Sequence, residues 1–392
     1  MDGLYGQRCS VCGGFRNELE QGIEFSKEAL SQMLREIYDG LNVRDDIQRE
    51  AFEETLRLFN EATVQGLSDA GYPAGDELFY EQLRTNNEVF SAFRTHRMQN
   101  DLAARLVGKD GKLKPFERWV KDVQDITDHY VVRWLRTEYD TAVLRAHQAA
   151  DWKRFEAEAD VLPNLRWMPT TSPDPDMAHR QYWEAKLTLP VNHSFWTRHR
   201  PGDRWNCKCS LMQTDEPPTE GAVADFRPAE KVPGLDNNPA DDGKLFGGSH
   251  PYYTQAHPGA KKAVEKIVMQ HRRKEIQKES ERLLDEPLSN EAFGKPISLS
   301  RKGIKEWINQ PHMHYMEKNE MLLSIGEVMK SARYVGSGPD RHNASITMHL
   351  FEVRIKGDKS WIVVREMNDG TARLHSISDN GRILYFIKKR DE

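Results

Sequence analysis

Apolar residues recur at helical spacing through the first hundred positions. Phe52, Leu56, Phe59 and Thr63 fall on one stripe, and Phe79, Leu83 and Phe90 on another, so residues 18–107 are expected to be helical. Gly71-Tyr72-Pro73 and Gly108-Lys109-Asp110-Gly111 are the breaks. A second stripe of Trp119, Val123, Ile126, Tyr130, Trp134 and Tyr139 predicts a long helix from Pro115, a good first-turn residue, toward Ala159. Between 162 and 211 the period is lost while prolines, tryptophans and histidines crowd together, which predicts an irregular clamp held by side chains. Residues 214–259, rich in Pro, Gly, Asp and Asn, read as loop. The charged run 260–285 has too few apolar positions for a core helix and is expected to bridge two domains.

The last hundred residues follow a different pattern. Helices are expected at 300–309 and 318–331, then four strand-like runs at 347–356, 360–367, 371–378 and 383–388. Lys356-Gly357-Asp358-Lys359, Asn368-Asp369-Gly370 and Asp379-Asn380-Gly381 separate them and supply the positive φ angles of tight turns. The fold class expected is therefore multidomain. A mainly α N-terminal domain spans 1–262 (helical 1–160, clamp 161–212, loop-rich 213–262). A charged helical linker spans 263–290, and an α+β domain with a four-stranded antiparallel sheet spans 291–392.

Composition narrows the function. With 30% charged residues, 38% hydrophobic residues and a net charge of -5, the chain suits exposed helical surface better than one compact body, and a general DNA-coating role is disfavoured. No stretch reaches the roughly eighteen apolar residues of a membrane span, and the N-terminus has no secretory pattern. A cytoplasmic site of synthesis is expected, so the four cysteines read as thiols or metal ligands before disulfides.

Between Arg136 and Leu211 an ordered set of residues carries a resemblance. It comprises Arg136-Thr137-Glu138, Ala142, Trp167, Asp176, His179-Arg180, Asn192, Trp196, Pro201 and Trp205-Asn206-Cys207-Lys208-Cys209. Asn237-Asn238-Pro239, Phe246 and His250-Pro251-Tyr252-Tyr253 follow downstream. This array resembles the Mu F-like head-morphogenesis family of phage minor head proteins. The resemblance implies an assembly role beside portal, scaffold and capsid proteins, and a place in the phage head after assembly in the bacterial cytoplasm. Nothing in these residues requires catalysis.

Two readings of the cysteines stand. In one, Cys207 and Cys209 with His179 and either His193 or His199 hold a structural zinc ion, which prefers thiolate and imidazole. Cys9 and Cys12, spaced as half a zinc knuckle, could complete a four-cysteine site. In the other, these side chains pack without metal and the N-terminal pair are idle thiols. Trp167, Trp183, Trp196 and Trp205 are expected to gather around Cys207 and Cys209. Arg136 and Glu138 are either a solvated helix face or a buried ion pair.

Residues 294–392 resemble the phage nucleases of the barnase–EndoU–colicin–RelE-like superfamily. The carriers are Ile297-Ser298-Leu299-Ser300-Arg301-Lys302, His312, His314, Arg333-Tyr334-Val335-Gly336 and the strands FEVRIKG, SWIVVRE and ARLHSIS. The resemblance implies RNA cleavage. Without metal that chemistry needs a proton-transfer group, for which histidine is suited, and cations for the phosphorane. His314, Arg333 and Ser376 are the catalytic candidates, with Lys302 and Arg365 as phosphate binders and no cofactor required. His349 shares phase with Phe351, Val353 and Ile355, so it reads as a structural histidine, whereas His375 and Ser376 should face opposite sides of their strand. Two alternatives remain open. The domain could be an inactive binding module, or the chain could be a free toxin-like ribonuclease with an immunity partner and an N-terminal delivery module.

Overall fold

The computed structural model describes residues 23–72, 77–171, 177–219, 221, 226, 230–340, 343 and 345–389. They form two compact units, residues 1–268 and 269–392. In the first unit α1 (Lys27–Tyr38), α2 (Arg49–Asp69) and α3 (Glu77–Ala103) are the expected early helices. Ser26 starts α1 by accepting the Ala29 amide, and Gln48 does the same for Ala51 in α2. The predicted stripe of α2 is the buried one: Phe52, Phe59 and Thr63 have no exposure and Leu56 almost none.

The single helix expected from Pro115 is broken. It comprises α4 (Phe116–Asp122), α5 (Gln124–Asp128), a π-turn over His129–Arg133 and α6 (Trp134–Ala157). Trp119, Val123 and Tyr130 are fully buried. The wider π-turn rephases the helix after Tyr130, so that Leu135, Glu138 and Ala142 continue the inward face. Gly66 in α2 lies against α6, where a Cβ would sit 2.2 Å from the Val143 carbonyl oxygen; only glycine allows this approach. Of the two charges at 136 and 138, Arg136 pairs on the surface with Asp140. Glu138 is buried and takes Arg94 of α3 at 2.6 Å and the Tyr252 hydroxyl at 2.7 Å.

The 161–212 segment is more regular than expected. β1 (Asn164–Met168), α7 (Met177–Glu184), β2 (Thr188–Pro190) and β3 (Ser210–Thr214) include a small antiparallel sheet in the order β2-β1-β3. Its strands are too short for alternation to show, yet Leu165, Trp167, Leu189 and Leu211 all bury into one core. The downstream loop carries α8 (Pro239–Asp242) and α9 (Pro251–Thr254). It is tied down by the fully buried Arg145 of α6, which donates to the carbonyls of Leu245, Gly202, Leu235 and Asn237. Helix α10 (Ala260–Ser280) crosses the unit boundary. The expectation that it lacks core positions is corrected: Ala263, Val264 and Ile267 bury with Phe52 and Leu56 in the first unit.

In the second unit, β4 (Ile297–Ser298) precedes α11 (Arg301–Asn309), α12 (Tyr315–Glu320) and α13 (Ile325–Ser331). The strands β5 (Arg333–Pro339), β6 (Thr347–Ile355), β7 (Asp358–Glu366), β8 (Ala372–Ser378) and β9 (Lys388–Lys389) complete it. Among the described residues the sheet has six strands, not four, in the order β4-β8-β7-β6-β5-β9. The three strands between 347 and 378 lie within a few residues of their expected bounds, and Lys356-Gly357, both at positive φ, make the β6–β7 turn. The fourth expected strand is instead a 3-10 turn over Gly381–Phe386. It lies over the face formed by Met348, Leu350 and Val363. β5 was not expected: Gly336, Gly338 and Pro339 interrupt any strand pattern in its sequence. Gly338 is required there: a Cβ would fall 1.9 Å from the Phe386 carbonyl oxygen. The other face packs Ile304, Trp307 and Ile308 of α11 against Phe351, Ile362, Val364 and Ile377.

Candidate functional site: a cysteine–histidine centre and the C-terminal sheet

The turn before β3 brings Cys207 and Cys209 back under α7. His179, on the buried side of that helix, points its Nδ1 at both sulfurs, 3.6 Å from Cys207 and 3.7 Å from Cys209. Its Nε2 lies 2.8 Å from Asp203. All four side chains are buried. The Trp167 ring meets His179 edge-on at 4.9 Å, and Tyr182 and Trp196 pack on Trp167. Burial opposes charge on His179, but Asp203 and Cys207 outweigh it and push the imidazole up to about 10. The bond between the two thiols raises Cys207 and lowers Cys209. Three soft donors thus converge within 4.8 Å of one another, a set able to hold a divalent ion.

The other proposed ligands are placed elsewhere. His193 caps a 3-10 turn through the Phe195 amide, and His199 packs on Phe195 and Tyr182. Cys9 and Cys12 lie outside the described residues, as does Asp176. Trp167 and Trp196 share a core with the two cysteines and Trp183 packs at its margin, as expected. Trp205 does not join them: it belongs to the helical core and stacks on Phe246 at 5.9 Å. Asp203, the partner of His179, was missed, since a lone Asp in a turn carries no signal until the fold places it.

On the C-terminal sheet, the three catalytic candidates do not meet. His314 caps α12 and bonds Asp358 at the start of β7, 2.7 Å away. Arg333 opens β5 and pairs with Glu352 at 2.7 Å. Ser376 on β8 pairs with Val363, so two strands separate it from Arg333, about 14 Å at ordinary strand spacing. His312 is held by Ser360 and by the His314 amide. His349 lies on the core face as expected, both ring nitrogens satisfied by Tyr334 and Glu366.

A different group does assemble. The register between β7 and β8 slips after Val363, leaving His375 as the extra residue of a bulge, where strict alternation with Ser376 does not apply. Burial lowers its imidazole, and Arg365, Glu306, Asp340 and Lys302 are the charges that act on it. Arg365 is braced by Asp340 at 2.8 Å, and Lys302 is exposed on the first turn of α11. The two phosphate-binding candidates therefore share surroundings with His375 rather than with His314.

Residues 268–383 match the family model described as large polyvalent protein-associated domain 3 (LPD3). No curated protein matches the chain, and no solved structure matches it. The match falls within the second unit apart from its first residue. No helix among the described residues is long and apolar enough to cross a membrane.

Proposed function

We propose that this chain is a minor head, or head-morphogenesis, protein of a tailed bacteriophage or prophage, assembling with portal, scaffold and capsid subunits. The observation that carries this reading is the fate of the resembling residues. Glu138, Trp167, His179, Trp196, Trp205, Cys207, Cys209, Phe246, His250 and Tyr252 are all buried. They pack into two cores, one around Trp167 and Trp196 and the other around Phe246 and Tyr252. A catalytic array keeps its reactive atoms open to substrate, whereas the thiols, imidazoles and carboxylate of this one are enclosed, as in a structural assembly module. A C-terminal domain of a kind associated with large polyvalent proteins agrees with such a chain. The experiment is mass spectrometry of gradient-purified proheads and mature particles from the encoding element. The protein is expected in both at low copy number, and its absence from both would refute the reading.

A second reading concerns the C-terminal unit, as a metal-independent ribonuclease. It is favoured by the charges that act on His375, those of Arg365, Glu306 and Lys302, which set a titratable imidazole in the field of a carboxylate and two cations. His375 then takes the proton-transfer role first given to His314, whose ring is committed to Asp358. The full-length protein should cut RNA in EDTA buffer, leaving 2′,3′-cyclic ends. His375→Ala should remove most of that activity, on the order of 10²-fold or more, and His314→Ala should not. If RNA stays intact, or the His375 variant cuts like the parent, the unit is a binding module.

A further inference from the structure

Within the buried array named above, the cysteine–histidine centre has a specific geometry of its own. In a tetrahedral zinc site the metal lies about 2.3 Å from sulfur and about 2.0–2.1 Å from nitrogen, which sets the S···N separation near 3.6 Å. His179 Nδ1 stands 3.6 Å from Cys207 Sγ and 3.7 Å from Cys209 Sγ. The two sulfur–nitrogen separations therefore already suit an ion, and the three donor atoms lie within 4.8 Å of one another. Without a metal, one imidazole nitrogen has a single lone pair or a single proton to share between the two sulfurs, whereas an ion bonds both.

The surroundings fit the same ion. Metal-bound histidines usually give their second ring nitrogen to a carboxylate, which fixes the tautomer and strengthens the ligand. His179 Nε2 faces Asp203 at 2.8 Å, so Nδ1 is the nitrogen that remains for the metal. The donors come from α7 and from the turn leading into β3. Trp167, Tyr182, Phe195 and Trp196 close around them.

We propose that His179, Cys207 and Cys209 bind one Zn2+ as a structural staple between α7 and the β3 turn, with Asp203 as the positioning residue behind His179. Binding displaces the protons of both thiols and the Nδ1 proton of His179 to solvent, so the bound ion meets two thiolates and one neutral imidazole nitrogen. The fourth position is left to water or to an external donor. This inference is independent of the assembly reading, because its readout is metal content and coordination.

The test is elemental analysis and X-ray absorption on the full chain, purified without chelator and reconstituted with Zn2+ alone. About one zinc per chain is expected, with two sulfurs and one imidazole nitrogen in the first shell. Less than a tenth of an equivalent after reconstitution would overturn the proposal, and so would a four-sulfur shell. Cys207→Ser should lose the metal. Should that variant fail to fold, Asp203→Asn keeps every ligand and should weaken zinc about 10–100-fold in competition with a chelator. Unchanged affinity there would remove Asp203 from its role.

Discussion

At the scale of single residues, the buried charges decide most. Arg94 and Glu138 have no exposed side-chain surface, and Glu138 also accepts from Tyr252. Glu138→Ala would strand the Arg94 guanidinium in the core. It should destabilise the first unit by roughly 3–5 kcal/mol in denaturant titrations, whereas Arg136→Ala on the surface should cost about 1 kcal/mol or less. The sequence placed Glu138 in a meaningful motif but could not name its partner, because Arg94 lies on another helix. His250 offers a pH test. Its Nδ1 accepts the Tyr252 amide, and burial together with the Arg94 charge depresses its imidazole to about 3. The unfolded chain, with an ordinary histidine near 6.5, takes up a proton first as pH falls. The stability is therefore full above about 6.5 and declines progressively down to about 3. His250→Gln should flatten that part of the acid-unfolding curve; an unchanged curve would mean that other groups set it.

At the scale of elements, legibility followed contact range. The α2 stripe, helix α11 and the turn at Lys356-Gly357 are local, and each stands in the sequence as it stands in the fold. The small β2-β1-β3 sheet and β5 depend on distant partners, and their short or glycine-rich strands carry no period. The π-turn that splits the expected long helix is likewise set by what Tyr130 must pack against. One element-level device was not legible at all. Lys318 is fully buried, and its ammonium donates to the carbonyls of Trp307, Ile308 and Gln310 at the end of α11. It thereby satisfies groups that a helix C-terminus leaves open. Lys318→Met keeps the volume and removes the donors. It should lower the stability of the second unit by about 2 kcal/mol or more in thermal or denaturant unfolding. A neutral result would show that those carbonyls find water instead.

At the scale of the whole molecule, the resembling residues are spread over more than a hundred positions and end up in two cores, and residues 268–383, which match the model of large polyvalent protein-associated domain 3, follow them. The candidate site was only partly legible. Cys207, Cys209 and His179 meet as their chemistry suggested, while His314, Arg333 and Ser376 are parted by the strand order, which residue identity does not reveal. The phosphate-binding pair can be tested on the full chain. Lys302→Glu with Arg365→Glu should weaken RNA binding at least tenfold and make it less dependent on salt, as expected when phosphate contacts are lost. Equal affinity in parent and variant would place any RNA contact elsewhere. Quantitative mass spectrometry of purified particles is the measurement for the proposed assembly role. This chain is expected in proheads and mature heads at a few copies, fixed relative to the portal. Its presence only in the soluble fraction, with none in either particle, would contradict it.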